Sequence, residues 1–118
     1  MDGSCTISTV PTKRISFSKS SSGNNTLVSA VAAAAPEPAK AIRVVCFGFI
    51  CDSAVTVQFC DGAGTGTPLT GAMSFPANGG MCPPYNPAGH FQTSAGTLLN
   101  LSLGGAVGVN GWLDYQEV

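Results

Sequence analysis

The chain of 118 residues is long enough for one domain with a single hydrophobic core. Its charged side chains amount to 9% of the residues, against about 25% in an average protein, while the apolar share is 44% and the net charge is −1. This combination excludes a disordered chain, and no apolar run approaches the roughly 18 residues that span a membrane. It favours a protein that contacts other chains, the alternative being a small secreted β domain kept soluble by Ser, Thr and Asn.

Residues 1–40, "MDGSCTISTVPTKRISFSKSSSGNNTLVSAVAAAAPEPAK", differ in composition from the rest of the chain. They are rich in Ser, Thr and Ala and have no sustained apolar period, so we expect an extended arm and linker. Within it, "CTISTV" and "RISFS" alternate as short strands do, and the alanine run suits a turn or two of helix that Pro36 ends. A flexible tail is the alternative for residues 1–20. The acidic second residue and the lack of an apolar run after a basic start argue against a signal peptide.

From Ala41 onward the sequence is typical of β-structure. "IRVVCFGFIC" at 42–51 has β-branched and aromatic residues on both faces, the pattern of a strand buried on both sides. "AVTVQFC" at 54–60 alternates and predicts a half-buried strand. Further strands are predicted at "LTGAMSF" (69–75), around Met81 and Cys82, at "GHFQTS" (89–94), at "TLLNLSL" (97–103) and at "WLDYQEV" (112–118).

The spacing of these strands predicts the fold class. Glycine and proline turns every eight to twelve residues or so, between about six to eight short strands, are typical of all-β sandwiches. We expect an antiparallel, jelly-roll-like sandwich over residues 41–118, preceded by the extended N-terminal arm. Leu99, Leu101 and Leu103 alternate along one strand and should face inward.

Five cysteines, at positions 5, 46, 51, 60 and 82, include no CxxC pair, so a structural zinc site is not expected. We expect the reduced thiols of a protein made in the cytosol, buried as small apolar side chains. A bridge between Cys46 and Cys60 across neighbouring strands is the alternative. No cofactor is expected.

Candidate catalytic groups are few, and we do not expect an enzyme. His90 is the only histidine, and its surroundings predict a hydrogen-bonded residue at a strand edge. Asp52 and Asp61 are expected to start turns by bonding the backbone two residues on. "GAGTG" at 62–66 lacks the lysine and the following helix of a phosphate loop. A small hydrolase that pairs His90 with one of these carboxylates or Asp114 is the alternative.

Binding partners are restricted by the small number of charges. Lys13, Arg14 and Lys19 are too few basic residues for a phosphate footprint, so nucleic acid is not expected as a partner, and neither is a membrane. Aromatic side chains allow two interpretations. Tyr85, Phe91, Trp112 and Tyr115 could form a carbohydrate platform, but packing of Trp112 and Tyr115 in a core or subunit interface is favoured.

Three segments resemble the small β proteins of tailed bacteriophage virions. They are "VTVQFCDGAGTGTPLTGAMSFPANGG", "PAGHFQTSAGTLLNLSL" and "GVNGWLDYQEV", within roughly residues 55–118. Such proteins run from a "tplTG" strand through a "G.f.ts.G..L.l" hairpin to a terminal "G.l.Y.ev" strand. The matching residues are Pro68, Leu69, Thr70, Gly71, Gly89, Phe91, Thr93, Ser94, Gly96, Leu99, Gly111, Leu113, Tyr115, Glu117 and Val118. The five cysteines depart from the pattern.

The resemblance implies a capsid decoration (cement) protein of the virion surface, assembled in the host cytoplasm. Its expected partners are the major capsid protein, whose neighbouring subunits it would tie together, and itself, as a homotrimer. An N-terminal arm would reach across capsid subunits, so deleting residues 1–38 should weaken attachment and leave the β domain folded. The alternative is a receptor- or carbohydrate-binding module of a phage tail or head fibre, which would use loops 61–68 and 76–89 with Tyr85 and His90.

Specific residues follow from this hypothesis. We expect Lys13, Arg14 and Lys19 of the arm to contact an acidic patch on the capsid. We expect Trp112 and Tyr115 to anchor self-association, because aromatic residues contribute most to interface energetics.

Overall fold

The computed structural model describes residues 11–62 and 67–118, and this part of the chain contains ten β-strands and no helix. The strands are β1 Thr12–Lys19, β2 Gly23–Val28, β3 Ile42–Cys51, β4 Val55–Asp61, β5 Thr67–Pro68, β6 Met73–Phe75, β7 Gly80–Met81, β8 Phe91–Gln92, β9 Leu99–Leu103 and β10 Val109–Glu117. The predicted strand at 42–51 is confirmed to the residue. The last strand begins three residues earlier than predicted, and the predicted strand at 69–75 is reduced to its last three residues.

The strands form two five-stranded antiparallel sheets that pack together as a sandwich. The first sheet has the order β1-β10-β3-β7, with β8 also pairing with β3. The second has the order β2-β9-β4-β5, with β6 also pairing with β4. The chain thus alternates between the sheets from β1 to β4, and its last two strands return between the earlier ones, which is the connectivity of a jelly roll. The predicted antiparallel sandwich is confirmed.

The core lies between the two sheets and is rich in aromatic rings. Phe47 and Phe49 of the first sheet meet Phe59 of the second at ring-centroid distances of 5.2 and 6.3 Å. Phe91 lies 4.7 Å from Phe59 and extends the cluster. The alternating leucines of β9 are 0–2% exposed and face inward, as predicted. Alternation along each strand therefore builds one shared core and leaves two outer faces.

Residues 12–28 are strands of the sandwich, so the predicted arm is wrong for this part of the chain. β1 pairs along its whole length with β10, and β2 pairs with β9. Phe17 and Val28 belong to the core. Sequence patterning recognised only "RISFS" within β1 and missed β2, because each is an edge strand that buries few apolar side chains. Deleting residues 1–38 would remove one edge strand from each sheet. The prediction that the remaining β domain stays folded is therefore replaced by the expectation that it does not fold.

Residues 29–40 link the second sheet back to the first. Val31 pairs with Lys40, and the backbone groups of Ala34 and Glu37 exchange two hydrogen bonds of 2.9 and 2.6 Å. The alanine run therefore forms a narrow turn and not the helix considered from its composition. The "RISFS" strand is confirmed as part of β1, whereas "CTISTV" lies outside the described residues.

Candidate binding surfaces on the two outer faces

The outer face of the first sheet is fixed by the pairing of β1, β10 and β3. Residues directly opposite each other in a sheet share a face. Three such rows cross the sheet: Arg14, Asp114 and Cys46; Ser16, Trp112 and Gly48; and Ser18, Asn110 and Ile50. The middle row places the only tryptophan of the chain at the centre of this face.

The indole of Trp112 lies over Gly48 of β3, a residue that has no side chain. A Cβ built at Gly48 would sit 3.1 Å from the indole Nε1 and 3.2 Å from the thiol sulfur of Cys82. Glycine at this position thus gives the indole and the Cys82 side chain room to converge over β3. Any larger residue at position 48 would displace at least one of them.

An ion pair holds the indole in place from the neighbouring strand. The guanidinium carbon of Arg14 lies 4.8 Å from the ring centroid of Trp112, within the range of a cation–π contact. Arg14 Nε and Nη2 donate to the two carboxylate oxygens of Asp114 at 2.6 and 2.9 Å. The hydrogen bonds to Asp114, and then its negative charge, raise the pKa of Arg14. The guanidinium of Arg14 therefore contacts Asp114 and the indole of Trp112 at the same time.

A broad groove of about 810 Å³ opens beside the indole. Its lining includes the apolar side chains of Ile50, Met81 and Trp112, the polar side chains of Ser16, Asn78 and Asn110, and three glycines, Gly48, Gly80 and Gly111. A Cβ at Gly80 or Gly111 would overlap backbone oxygens of β3, so glycine allows the close approach of the strands there. Every side chain that lines the groove is uncharged. We call this site the Trp112 groove.

Ile50 marks where the fold leaves this face uncovered. The sequence predicts β3 to be buried on both faces, yet Ile50 is 54% exposed. Gly48 is covered by the indole and Cys46 is half-buried, with its thiol 3.8 Å from the carbonyl oxygen of Pro83. The prediction is therefore wrong at the end of the strand that borders the groove, because no element packs over it among the described residues.

The outer face of the second sheet has a different composition. It presents Asn24 and Thr26 from β2, Ser102 from β9, Thr56 and Gln58 from β4, and Ser74 from β6. Asn100 and Cys60 lie in the same row as Thr26 but are buried. The described strands of this sheet contribute no charged side chain to it. We call it the uncharged polar face.

Buried amides attach β2 to this sheet. The side-chain oxygen of Asn100 accepts from the backbone N–H of Asn25 at 2.8 Å, and its amide nitrogen donates to Asn24 Oδ1 at 2.8 Å. Asn25 Nδ2 donates to the carbonyl oxygens of Ser21 and Leu101 at 2.8 and 3.2 Å. Asn100 is 0% and Asn25 7% exposed, so these bonds are shielded from water. They fix the register of an edge strand that has few apolar contacts.

The basic residues predicted to contact a capsid lie on β1. Lys13 Nζ is 3.2 Å from Glu117 Oε1, and Arg14 is bound to Asp114. Lys19 ends β1 opposite Val109 and forms no ion pair with the described residues. Within this part of the chain, Lys19 alone of the three keeps its charge available to a partner.

The two residues predicted to anchor self-association lie on opposite sides of the first sheet. Trp112 is on the outer face, whereas Tyr115 is 8% exposed and packs in the core. Their odd spacing within one strand already implied this separation. Tyr115 is therefore not available as a surface anchor in this fold, and the role of Trp112 stays a prediction.

The four aromatic residues considered as a carbohydrate platform do not form one. Phe91 contacts Phe47 and Phe59 in the core, and Tyr115 is also buried. Tyr85 lies on a loop, where it is 58% exposed. Of the four, Trp112 is the one that lines the groove.

The candidate catalytic residues are held apart by the fold. His90 Nε2 lies 2.7 Å from the carbonyl oxygen of Pro84, and the ring meets Phe47 edge to face. Asp52 and Asp61 flank opposite ends of β4. Among the described residues, His90 forms a hydrogen bond with no carboxylate.

The turn role expected for Asp52 is not observed, and the turn role expected for Asp61 would involve residue 63, which lies outside the described residues. Asp61 Oδ2 accepts from the backbone N–H and the hydroxyl of Ser94, at 3.0 and 2.8 Å. Asp52 Oδ1 accepts from the Asn110 amide at 3.4 Å. Both carboxylates therefore bridge to distant segments, which a rule based on neighbouring residues does not reveal.

The four described cysteines are free thiols, as expected. The expected burial is confirmed for Cys51 and Cys60, whereas Cys46 is half-buried and Cys82 is exposed. Burial raises the pKa of both buried thiols, and the charge of Asp52 adds to the effect at Cys51. Cys46 and Cys60 lie in different sheets, so the alternative of a bridge between neighbouring strands is wrong. Cys5 lies outside the described residues.

Residues 11–62 and 67–118 contain neither a candidate metal-binding cluster nor a candidate membrane-spanning helix. No cluster of three or more His, Cys, Asp or Glu residues there could hold a metal ion. This part of the chain also has no helix of the length and hydrophobicity needed to cross a membrane.

Comparison of the chain with protein-family models, with curated proteins and with solved structures finds no match.

Proposed function

We propose that this protein is a bacteriophage virion component, a capsid decoration (cement) protein that binds the outer head surface and ties neighbouring major capsid subunits together. The observation that carries the proposal is the uncharged polar face, which covers one side of a jelly roll. The sequence resemblance over residues 55–118 to small phage virion proteins supports the assignment to a phage capsid.

The uncharged polar face suits attachment because it carries little desolvation cost. A charged side chain loses favourable hydration when an interface covers it, and this loss offsets much of the contact energy. Hydroxyls and amides cost less and can exchange their bonds with water for bonds with a partner. Many copies on one shell then hold together through individually modest contacts.

Lys19 is the basic residue most suited to an acidic capsid patch. Lys13 and Arg14 already interact with carboxylates of β10, so an external acid would have to compete with these partners. Lys19 lies where β1 ends and the chain turns toward β2, at the edge between the two sheets. We therefore expect Lys19→Glu to weaken capsid binding more than Lys13→Glu.

A matched pair of substitutions tests the attachment face. Thr26 and Thr12 are exposed threonines on the edge strands β2 and β1, and each becomes Glu. In cosedimentation with heads that lack the protein, Thr26→Glu should bind at least about tenfold more weakly, because it buries an unpaired charge, whereas Thr12→Glu should bind like the wild type. Equal binding of all three proteins would refute the attachment face, and no binding by the wild type would refute the capsid function.

We also propose that the protein forms a homotrimer. Light scattering of the purified protein at two widely separated concentrations should give the mass of three chains at both. A monomer mass at both concentrations would remove the trimer in solution from the proposal.

A further inference from the structure

The Trp112 groove has a lining whose chemistry restricts what it can bind. Its size falls within the range of about 300–1,000 Å³ that is usual for small-molecule sites. None of its lining side chains carries a charge, and the nearest charged pair, Arg14 and Asp114, is internally neutralised. An anionic ligand would find no unpaired cation among these side chains, and the exposed carboxylate of Asp52, which accepts from Asn110 at 3.4 Å, adds a negative charge beside the groove. A neutral ligand fits.

Polar groups around the groove retain hydrogen-bonding capacity. The hydroxyl of Ser16 and the amide of Asn78 form no side-chain hydrogen bond with the described residues and are exposed. Asn110 accepts from the Ser18 hydroxyl and donates weakly to Asp52 at 3.4 Å, which leaves its amide one further lone pair and one further N–H. Donors and acceptors therefore stand beside the apolar surface of Trp112 and Ile50.

This mixture matches the surface of a sugar. A saccharide has one set of C–H groups that packs on an aromatic ring, whose negative face attracts polarised hydrogens, and a rim of hydroxyls that both donate and accept. Arg14 holds the indole from the neighbouring strand, so little conformational entropy is lost when a ligand contacts it. We propose that the Trp112 groove binds a short segment of a neutral saccharide.

The proposal goes beyond capsid attachment and uses the opposite face of the sandwich. A protein bound to a shell through its uncharged polar face would display the groove outward. The same indole cannot hold a saccharide and also anchor a second copy of the chain, so the two hypotheses for Trp112 exclude each other.

The test is a fluorescence titration, since Trp112 is the only tryptophan. The probes are linear tetrasaccharides of glucose, galactose, mannose and N-acetylglucosamine at millimolar concentration, with sialyllactose as a charged comparison. We expect a saturable change in emission with at least one neutral probe and a weaker response to the charged one. No saturable change with any neutral probe would overturn the proposal.

Four variants locate the binding. Asn78→Gly, which keeps the positive φ of 62° accessible, and Asn110→Ala should each weaken binding about five- to tenfold through a lost hydrogen bond. Gly48→Val should abolish it by displacing the indole. Tyr85→Ala removes an exposed aromatic outside the groove and should leave the affinity unchanged.

Other outcomes would contradict the site. Loss of binding in Tyr85→Ala, with the two asparagine variants unaffected, would place the sugar on the loops. An emission change that follows protein concentration, with a matching rise in mass and no response to sugar, would show that a second copy occupies the groove. Thr26→Glu, which tests the capsid face, should bind saccharide like the wild type, so the two proposals can fail independently.

Discussion

The two outer faces of the sandwich differ although the strands behind them share one core. The first sheet carries an indole, an ion pair, an exposed isoleucine and a groove. The second carries exposed hydroxyls and amides and no charged side chain from its described strands. The inner faces must match each other in packing, whereas the outer faces are free to diverge. We assign attachment to the second face and ligand binding to the first.

The two edge strands differ in the same way. β1 is joined to β10 by exposed ion pairs that involve Lys13 and Arg14. β2 is joined to β9 by amide bonds that are buried around Asn100. Exposed ion pairs contribute little to stability, whereas a buried group that loses its partner is costly. The second edge should therefore be more sensitive to substitution.

The largest effect on stability is expected in the core, where both sheets pack against the same side chain. Phe59 belongs to the second sheet and packs against Phe47 and Phe49 of the first. Phe59→Ala should lower the free energy of unfolding by about 3–5 kcal/mol, because it leaves a cavity between the sheets. Urea unfolding measures this loss. Ser74→Ala on the uncharged polar face is the control, and an equal loss there would contradict a single shared core.

A smaller effect on the free energy of unfolding should distinguish the edge strand β2 from the edge strand β1. Asn100→Ala leaves the backbone N–H of Asn25 without its partner and should cost about 2–3 kcal/mol, since both groups are buried. Arg14→Ala breaks an ion pair whose guanidinium is exposed to solvent, so its effect on the urea midpoint should be clearly smaller. If Arg14→Ala destabilised the protein as much as Asn100→Ala, the contrast between the edges would not hold.

The smallest effect on stability should appear at alkaline pH, where one buried thiol in each sheet loses its proton. The folded-state pKa of Cys51 and of Cys60 is raised, so each thiol stabilises the fold fully below its unfolded pKa of about 8.5 and loses this contribution as pH rises through the folded value. Cys51→Ala and Cys60→Ala should therefore each remove part of the alkaline loss, measured as the urea midpoint at pH values below and above that range. An unchanged alkaline loss in both variants would assign it to other groups.

Parts of the fold that follow from alternation were predictable. The bounds of β3 and the inward leucines of β9 came from local patterns of apolar residues. β1 and β2 were only partly recognised, because an edge strand with hydroxyl and amide side chains resembles a linker. The separation of Trp112 from Tyr115 follows from their odd spacing, which predicts opposite faces once both are known to lie in one strand.

The candidate site was less predictable. Trp112 was recognised as a binding residue, but Gly48, Asn78 and Arg14 were not connected with it. They come from three other segments of the chain, and only strand pairing and the loop before β7 bring them beside the indole. The role of Gly48 in particular cannot be predicted from the sequence, because it depends on the indole of Trp112 that packs over it.

The sequence by itself determined an all-β chain, the inner face of its central strands and a surface with few charges, because these depend on composition and on the two-residue period of a strand. Only the tertiary structure decided that residues 12–28 complete the two sheets, which charges are paired, and where Trp112 meets a groove. Such features depend on contacts between residues far apart in the chain, and the register that sets those contacts is chosen by the packing of the whole sandwich.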